Sequence, residues 1–263
     1  MRFRILGSGS KGNACVVQTD KALILVDNGF SGKEVVRRLE SVEIDPKDIN
    51  GIIVSHEHND HIKGVGIFAR RYKTPVYISH QTYNAAKKSL KNTEIRFFTE
   101  GKELRYEDLV VDTFQQPHDA VSPVGFTFRQ QNGAGPGAKL GYVTDLGQVT
   151  TLVRQRLSDI QALVVEANHD EKMLMNGPYP WRTKQRVRGR YGHLSNAVSA
   201  QLIGEIVEST GIEEVTLAHL SENNNLPALA RDTVLKHVEE SAGQKIEVRV
   251  ASQHTPSEEI ILE

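Results

Sequence analysis

The chain has 263 residues, 38% of them hydrophobic and 25% charged, and its 32 Lys+Arg against 33 Asp+Glu leave a formal charge of -1. Those proportions fit a globular chain and exclude intrinsic disorder and collagen-like repeats. No apolar run approaches the roughly 18 residues of a membrane span, the N-terminal MRFRILGSGSKGN has no signal-peptide core, and one cysteine, Cys15, excludes a disulfide framework and all-cysteine zinc sites.

Arg2–Leu6 alternates as a strand, and Gly7–Asn13 is a turn cluster. Ala14–Thr19 and Ala22–Val26 are apolar strands, the second ending at Asp27. Ser31–Glu40 predicts a short helix with Val35, Val36 and Leu39 on one face. Gly51–Val54 is a buried-type strand that stops just before His56, and Asp60 is expected to cap a helix running to about Tyr72. Val76–Ser79 reads as strand and Tyr83–Leu90 as helix. Strands then dominate, at Ile95–Thr99, Leu109–Gln115, Val124–Arg129 and Leu140–Thr144, with Gln131–Ala138 expected as a flexible hairpin loop. Thr151–Leu157, Asn196–Glu208 and Leu226–Glu240 predict helices between strands at Ile160–Val165, Val215–Ala218 and Ile246–Val250. Strands flanked by helices at both ends of the chain suggest two sheets covered by helices. The expectation is one cytoplasmic domain over 1–263, with no membrane contact; near-neutral charge means that any nucleic acid must meet a local basic patch.

The densest chemical signal is His56-Glu57-His58-Asn59-Asp60-His61. Extended backbone sends His56 and His58 to one side, where both imidazoles can meet one ion. Asp60 and His61 open the following helix and turn another way, towards a second ion beside the first. Imidazole and carboxylate ligands without cysteine suit Zn²⁺, Mn²⁺ or Fe²⁺.

This His-x-His-x-Asp-His pattern resembles the metallo-β-lactamase superfamily. Leu25-Val26-Asp27, Gln116-Pro117-His118-Asp119, Tyr142-Val143-Thr144-Asp145 and Leu217-Ala218-His219 match that family's later motifs in order. The resemblance covers nearly the whole chain and implies an α/β fold, the four-layer αββα sandwich, with its site at one edge of the two sheets. It implies two divalent metal ions, one held by His56, His58 and His118, the other by Asp60, His61 and His219, with Asp145 bridging. Asp27 would orient a ligand imidazole. Such a site lowers the pKa of bound water and clamps the attacking and leaving oxygens, which is hydrolytic chemistry.

Leu163–His169 places Glu166 at the end of a buried strand, and Gly192-His193-Leu194-Ser195 opens a helix. The phosphodiesterase branch of the superfamily has a similar acid and a similar Gly-His-Ser-like element. That likeness implies a proton relay in which Glu166 fixes the His193 tautomer and His193 protonates the leaving group; Asp60, His193 and Glu166 are thus the catalytic candidates. His169 is either a further site residue or a loop residue. Arg182, Lys184, Arg186, Arg188 and Arg190 crowd nine residues with no acid. A solvated face is the usual meaning of such a run, but its place just before His193 predicts phosphate contacts. Tyr179 and Trp181 beside it either stack on a base or pack.

Ser8-Gly9-Ser10-Lys11-Gly12-Asn13, Gly192-His193-Leu194-Ser195-Asn196 and Ala218–Asn225 resemble one narrower group, the YycJ/WalJ-like exonucleases. That likeness implies a 5′–3′ exonuclease of double-stranded DNA linked to DNA repair, working by in-line attack of a metal-bridged hydroxide on phosphorus. The Gly-Ser-Gly turn is either a phosphate cradle or simply a tight turn. The alternative activity is a thioester or lactone hydrolase of the glyoxalase II type, and a non-catalytic nucleic-acid binder is the third reading.

Overall fold

The computed structural model describes residues 1–132, 135–212 and 214–262. The first half builds β1 (Arg2–Gly7), β2 (Ala14–Gln18), β3 (Leu23–Val26), α1 (Gly32–Glu40), β4 (Gly51–Ile53), α2 (Asn59–Ile62), α3 (Val65–Tyr72), β5 (Val76–Ser79), α4 (His80–Ala86) and β6 (Ile95–Phe98). The second builds β7 (Glu103–Tyr106), β8 (Leu109–Gln115), β9 (Val124–Asn132), β10 (Gly135–Val143), α5 (Thr151–Arg156), β11 (Ala162–Glu166), α6 (Glu171–Asn176), α7 (Trp181–Val187), α8 (Asn196–Thr210), β12 (Glu214–Ala218), α9 (Pro227–Ala242) and β13 (Glu247–Val250); β14 (Ile260–Ile261) returns to the first sheet. The sheets run β14-β1-β2-β3-β4-β5-β6 and β13-β12-β11-β10-β9-β8-β7. In each, one part is antiparallel and the other parallel, the change falling at β3 in the first and β10 in the second.

The period-2 alternation of strands sorts the core into layers. Ile24 and Val26 of β3 join Phe126, Leu140 and Val164 between the sheets. Leu23 and Leu25 face the other way, under Val35 and Leu39 of α1 and Phe68 of α3. Likewise Leu163 and Val165 of β11 meet Ile203 and Val207 of α8 and Val234 of α9. The result is an αββα sandwich. No described helix is long and apolar enough to cross a membrane.

Several expectations need correction. The segment after the histidine cluster is two helices, α2 and α3, broken at Gly64, and Asp60 caps neither. His58 is the N-cap of α2, without a side-chain cap bond, and Asp60 sits in its first turn. The break follows from close packing: a Cβ on Gly64 would lie 2.0 Å from the Phe30 carbonyl oxygen. Where the sequence predicts a helix over Tyr83–Leu90, α4 begins three residues earlier, because Ser79 caps it by accepting from the Thr82 N–H at 3.2 Å, and it ends at Ala86. Much of the expected 131–138 loop is strand, since β9 continues to Asn132 and β10 begins at Gly135; residues 133 and 134 lie outside the described ones. The edge strands β7 and β14 and the helices α6 and α7 were not legible from apolar periodicity.

Gly29 matters more for the site. A Cβ there would fall 1.7 Å from the Asp60 carbonyl oxygen. The same stretch ties down α2, since Asn28 donates its N–H to the His61 carbonyl at 2.7 Å and Asn13 donates its own to that of Asp60 at 2.7 Å. Gly29→Ala must therefore push α2, with Asp60 and His61, out of place. A displacement of about 1 Å in a catalytic group costs on the order of 10²-fold in turnover. Assay of bis-p-nitrophenyl phosphate hydrolysis, with metal content measured alongside, should show that loss.

Candidate metal centre

Seven ligand-type side chains converge where the parallel ends of the two sheets meet. One set holds His56, His58 and His118, and a second holds Asp60, His61, Asp145 and His219; within each, one donor atom per residue lies within 4.8 Å of the others. The first four come from the loop after β4 and from α2, the others from beyond β8, β10 and β12. Asp145 faces both sets, its Oδ1 3.7 Å from His118 Nε2 and its Oδ2 3.0 Å from His61 Nε2. His219 Nε2 stands 3.3 Å from Asp60 Oδ2 and 3.4 Å from Asp145 Oδ1.

The surrounding hydrogen bonds decide which nitrogen each ring offers. His61 donates through Nδ1 to Asp27 Oδ2 at 2.8 Å. Ser55 Oγ also donates to that oxygen, at 2.7 Å, and accepts from His56 Nδ1 at 2.9 Å. His118 Nδ1 donates to the Gly192 carbonyl at 3.1 Å. With Nδ1 spent on an acceptor, Nε2 of all three rings is available as a ligand. His56 Nε2 is buried without a hydrogen-bond partner, and so is Asp145 Oδ2, which makes no aligned bond despite its nearness to His61. Orphaned buried acceptors are costly, and divalent cations would satisfy both. The donor set of imidazoles and carboxylates fits Zn²⁺, Mn²⁺ or Fe²⁺.

Electrostatics agree with the geometry. Burial lowers His56 well below its ordinary value, so it is neutral and able to ligate. Burial pushes Asp145 up, but His219 and His61 outweigh it and hold the carboxyl well below the usual range. Burial disfavours charge on His61 and His219 too. Yet Asp145, Asp27 and Asp60 raise His61 well above its ordinary value, and Asp145 and Asp60 carry His219 up to about 9. A cation can bind these rings only by displacing their protons. Affinity of the metal-free protein for Zn²⁺ should therefore rise with pH between 6 and 8.5, by up to about tenfold per unit for each proton expelled. Competition with a chromophoric chelator across that range checks it.

Three of these residues carry backbone strain. Asp27, Asp145 and His219 adopt φ of 57°, 59° and 53°, each just past the end of a strand. Left-handed backbone is uncommon outside glycine and collects at functional sites. Here it turns the chain sharply as it leaves β3, β10 and β12.

Glu166 and His193 lie beside the second set. Glu166 accepts from His193 Nδ1 at 3.1 Å and from the backbone N–H groups of Asp145, Leu146 and Leu194 at 3.1, 3.0 and 2.7 Å. One carboxylate thus orients the imidazole and holds the loop carrying Asp145. His169 is buried, its Nδ1 has no partner, and burial brings its imidazole down to about 4.

The basic run does not form one stripe. Arg182, Lys184 and Arg186 lie on the helical turns of α7, where residues two apart point to different sides. Lys184 Nζ donates to the Met175 carbonyl at 2.7 Å, while Arg186 pairs with Asp119, whose Oδ1 is 3.4 Å from His118 Nε2. Arg182, Arg188 and Arg190 are exposed. Trp181 is exposed, and Tyr179 accepts from Asn223 Nδ2 at 3.2 Å. Most backbone donors of the Gly-Ser-Gly turn are already used, which favours the tight turn over a phosphate cradle. Ser8 N bonds to Ser252 O, Gly9 N to Asn13 Oδ1, Lys11 N to Gln253 Oε1 and Gly12 N to Gly9 O. Its role is to place supports, among them Ser8 Oγ, which accepts from the His219 N–H at 2.9 Å. Ser55, Ser8, Asn13 and Asn168, whose Nδ2 donates to the His219 carbonyl at 2.9 Å, are site residues that sequence reasoning missed. Ser55 alone had a local signal, as the neighbour of His56.

Comparison with known proteins identifies the family. Residues 7–153 match the family model described as the metallo-beta-lactamase superfamily. The chain is 36% identical to the exodeoxyribonuclease YycJ of Bacillus anthracis, over 98% of this chain and 97% of that one. It is 33% identical to the exodeoxyribonuclease WalJ of Streptococcus pneumoniae, over 90% and 88%. Among solved structures it is similar to the metallo-beta-lactamase fold protein YhfI of Bacillus subtilis, with a TM-score of 0.70 and 16% identity over 98% and 99% of the two chains. The chain belongs to the metallo-β-lactamase superfamily and, within it, to the YycJ/WalJ-like group.

Proposed function

We propose that this protein is a metal-dependent DNA nuclease, a 5′–3′ exonuclease of double-stranded DNA that serves repair. The observation that carries the phosphodiesterase reading is the Glu166–His193 pair set against the two ligand clusters. The relatives named exodeoxyribonucleases match over most of their length and support DNA as the substrate. His56, His58 and His118 would hold one cation, Asp60, His61 and His219 the other, and Asp145 both. Bound there, two divalent cations supply an activated water and neutralise charge on the phosphoryl oxygens.

The protein's own groups do the rest. Glu166 accepts at Nδ1 of His193, which leaves Nε2 to pass a proton to the departing 3′-oxygen. Asp27 and Ser55 hold His61 and His56 in their ligating orientation. The exposed Arg182, Arg188 and Arg190 are available to the phosphate backbone without first breaking an ion pair, whereas Arg186 must leave Asp119.

The test is a parallel assay of metal-replete protein on end-labelled duplex DNA, bis-p-nitrophenyl phosphate and S-lactoylglutathione. Hydrolysis of both phosphodiesters, with little or no action on the thioester, is the expected result. Turnover of the thioester alone would replace the nuclease with the glyoxalase II-type activity.

A further inference from the structure

A cavity of about 250 Å³ opens beside His193, on ground that no metal ligand shares. Leu174, Met175 and Val198 form apolar walls, while His169 and Glu171 bring polar groups and Arg188 lines it as well. At ~30 Å³ per water it has room for about eight waters, comparable with one nucleobase and its sugar. The feature that points to a ligand is His169. It is 2% exposed, lines the cavity, and its buried Nδ1 has no hydrogen-bond partner. Its backbone is fixed by bonds to α8: the Asn196 N–H donates to the His169 carbonyl at 2.9 Å. Glu171 uses one oxygen to accept from Ser195 Oγ at 3.1 Å, and its other can take the exocyclic amino group of a base.

We infer that this cavity receives the terminal nucleotide that departs in the reaction, a nucleoside 5′-phosphate with its base between Met175 and Val198. The inference rests on the nuclease reading and deepens it. A water oxygen bonds to phosphorus and releases its proton to solvent, the P–O3′ bond breaks, and O3′ takes a proton from His193. The group that carries O3′ is the nucleotide on the 5′ side of the cut, so it must lie next to His193, which is where the cavity is. The base stacks on apolar walls, the His169 ring and Glu171 meet its edge, and Arg188 meets its 5′-phosphate. A site that seats the terminal unit beside His193 fits release of single nucleotides from a 5′ end. The terminal pair of a duplex, with one stacking neighbour, is the pair most readily opened to fill it.

Val198 and Met175 are 38% and 39% exposed, so tryptophan at either position can block the cavity without entering the core. Metal-replete wild type, Val198→Trp and Met175→Trp are compared on 5′-labelled duplex DNA and on bis-p-nitrophenyl phosphate, which is too small to need the cavity. Circular dichroism and metal content serve as folding controls. The expected result is release of 5′-mononucleotides by the wild type, inhibition of its DNA cleavage by deoxyadenosine 5′-monophosphate, and at least a tenfold fall in the ratio of DNA to bis-p-nitrophenyl phosphate turnover in both variants. An unchanged ratio in both folded variants, or release of oligonucleotides by the wild type, overturns the nucleotide site while leaving the nuclease intact. Failure of the wild type on both phosphodiesters would overturn the nuclease reading itself.

Discussion

Replacing Asp145 with alanine should abolish phosphodiester hydrolysis and strip metal from the protein while leaving the two sheets folded. Asp145 is buried and faces both ligand clusters, 3.0 Å from His61 Nε2 and 3.4 Å from His219 Nε2. Removing it leaves His61 and His219 without the carboxylate that raises both. Loss of a mere supporting partner costs about 10–100-fold in metal affinity, and loss of a residue shared by two ions should cost more. His61→Ala should behave similarly. The measurements are metal content by mass spectrometry, turnover of bis-p-nitrophenyl phosphate, and far-ultraviolet circular dichroism. Full turnover in a metal-replete Asp145→Ala protein would remove the two-ion centre from the account.

The second large effect separates proton delivery from metal binding. His193→Ala should slow DNA cleavage by about 10²–10⁴-fold, the range for loss of a general acid. The same variant should lose far less on bis-p-nitrophenyl phosphate, because p-nitrophenolate departs without needing a proton. Metal content should stay near that of wild type, since His193, though grouped with Asp145, Glu166 and His219, belongs to neither of the two clusters proposed to hold cations. Glu166→Gln should be worse than its distance from the scissile bond suggests. Its amide nitrogen would confront one or more of the N–H groups of Asp145, Leu146 and Leu194 that the carboxylate now accepts. Equal losses on both substrates in His193→Ala would sink the relay.

The parts of this site that were legible in the sequence are those with local or ordered signals. His56, His58, Asp60 and His61 stand within six residues after a buried strand, and that spacing alone points to cations. His118, Asp145 and His219 are single residues with no local signature, and only their order at successive strand ends betrays them. The supports were hidden for a physical reason. Ser8 reaches His219 across 211 residues and Asn168 reaches it across 51, through bonds that no window of sequence contains. The Gly-Ser-Gly turn stayed open between two readings because free backbone N–H groups and spent ones look identical in sequence. The basic run left two readings open because a sequence does not show which cations are already engaged: on the helix after Pro180, Arg186 pairs with Asp119 and Lys184 with the Met175 carbonyl, while Arg182 is exposed. The layers were easier: Leu23–Val26 and Ala162–Val165 are apolar on both sides, as strands sandwiched between a helix layer and a second sheet must be.

The centre draws His56, His58, Asp60 and His61 from one sheet's loops and His118, Asp145 and His219 from the other's. A chain still emerging from the ribosome lacks the last part of that grip until His219 is out and β12 has docked beside β11. During synthesis the unfinished polypeptide therefore has no cutting power. A metal-dependent hydrolase is thereby idle until its last layers close.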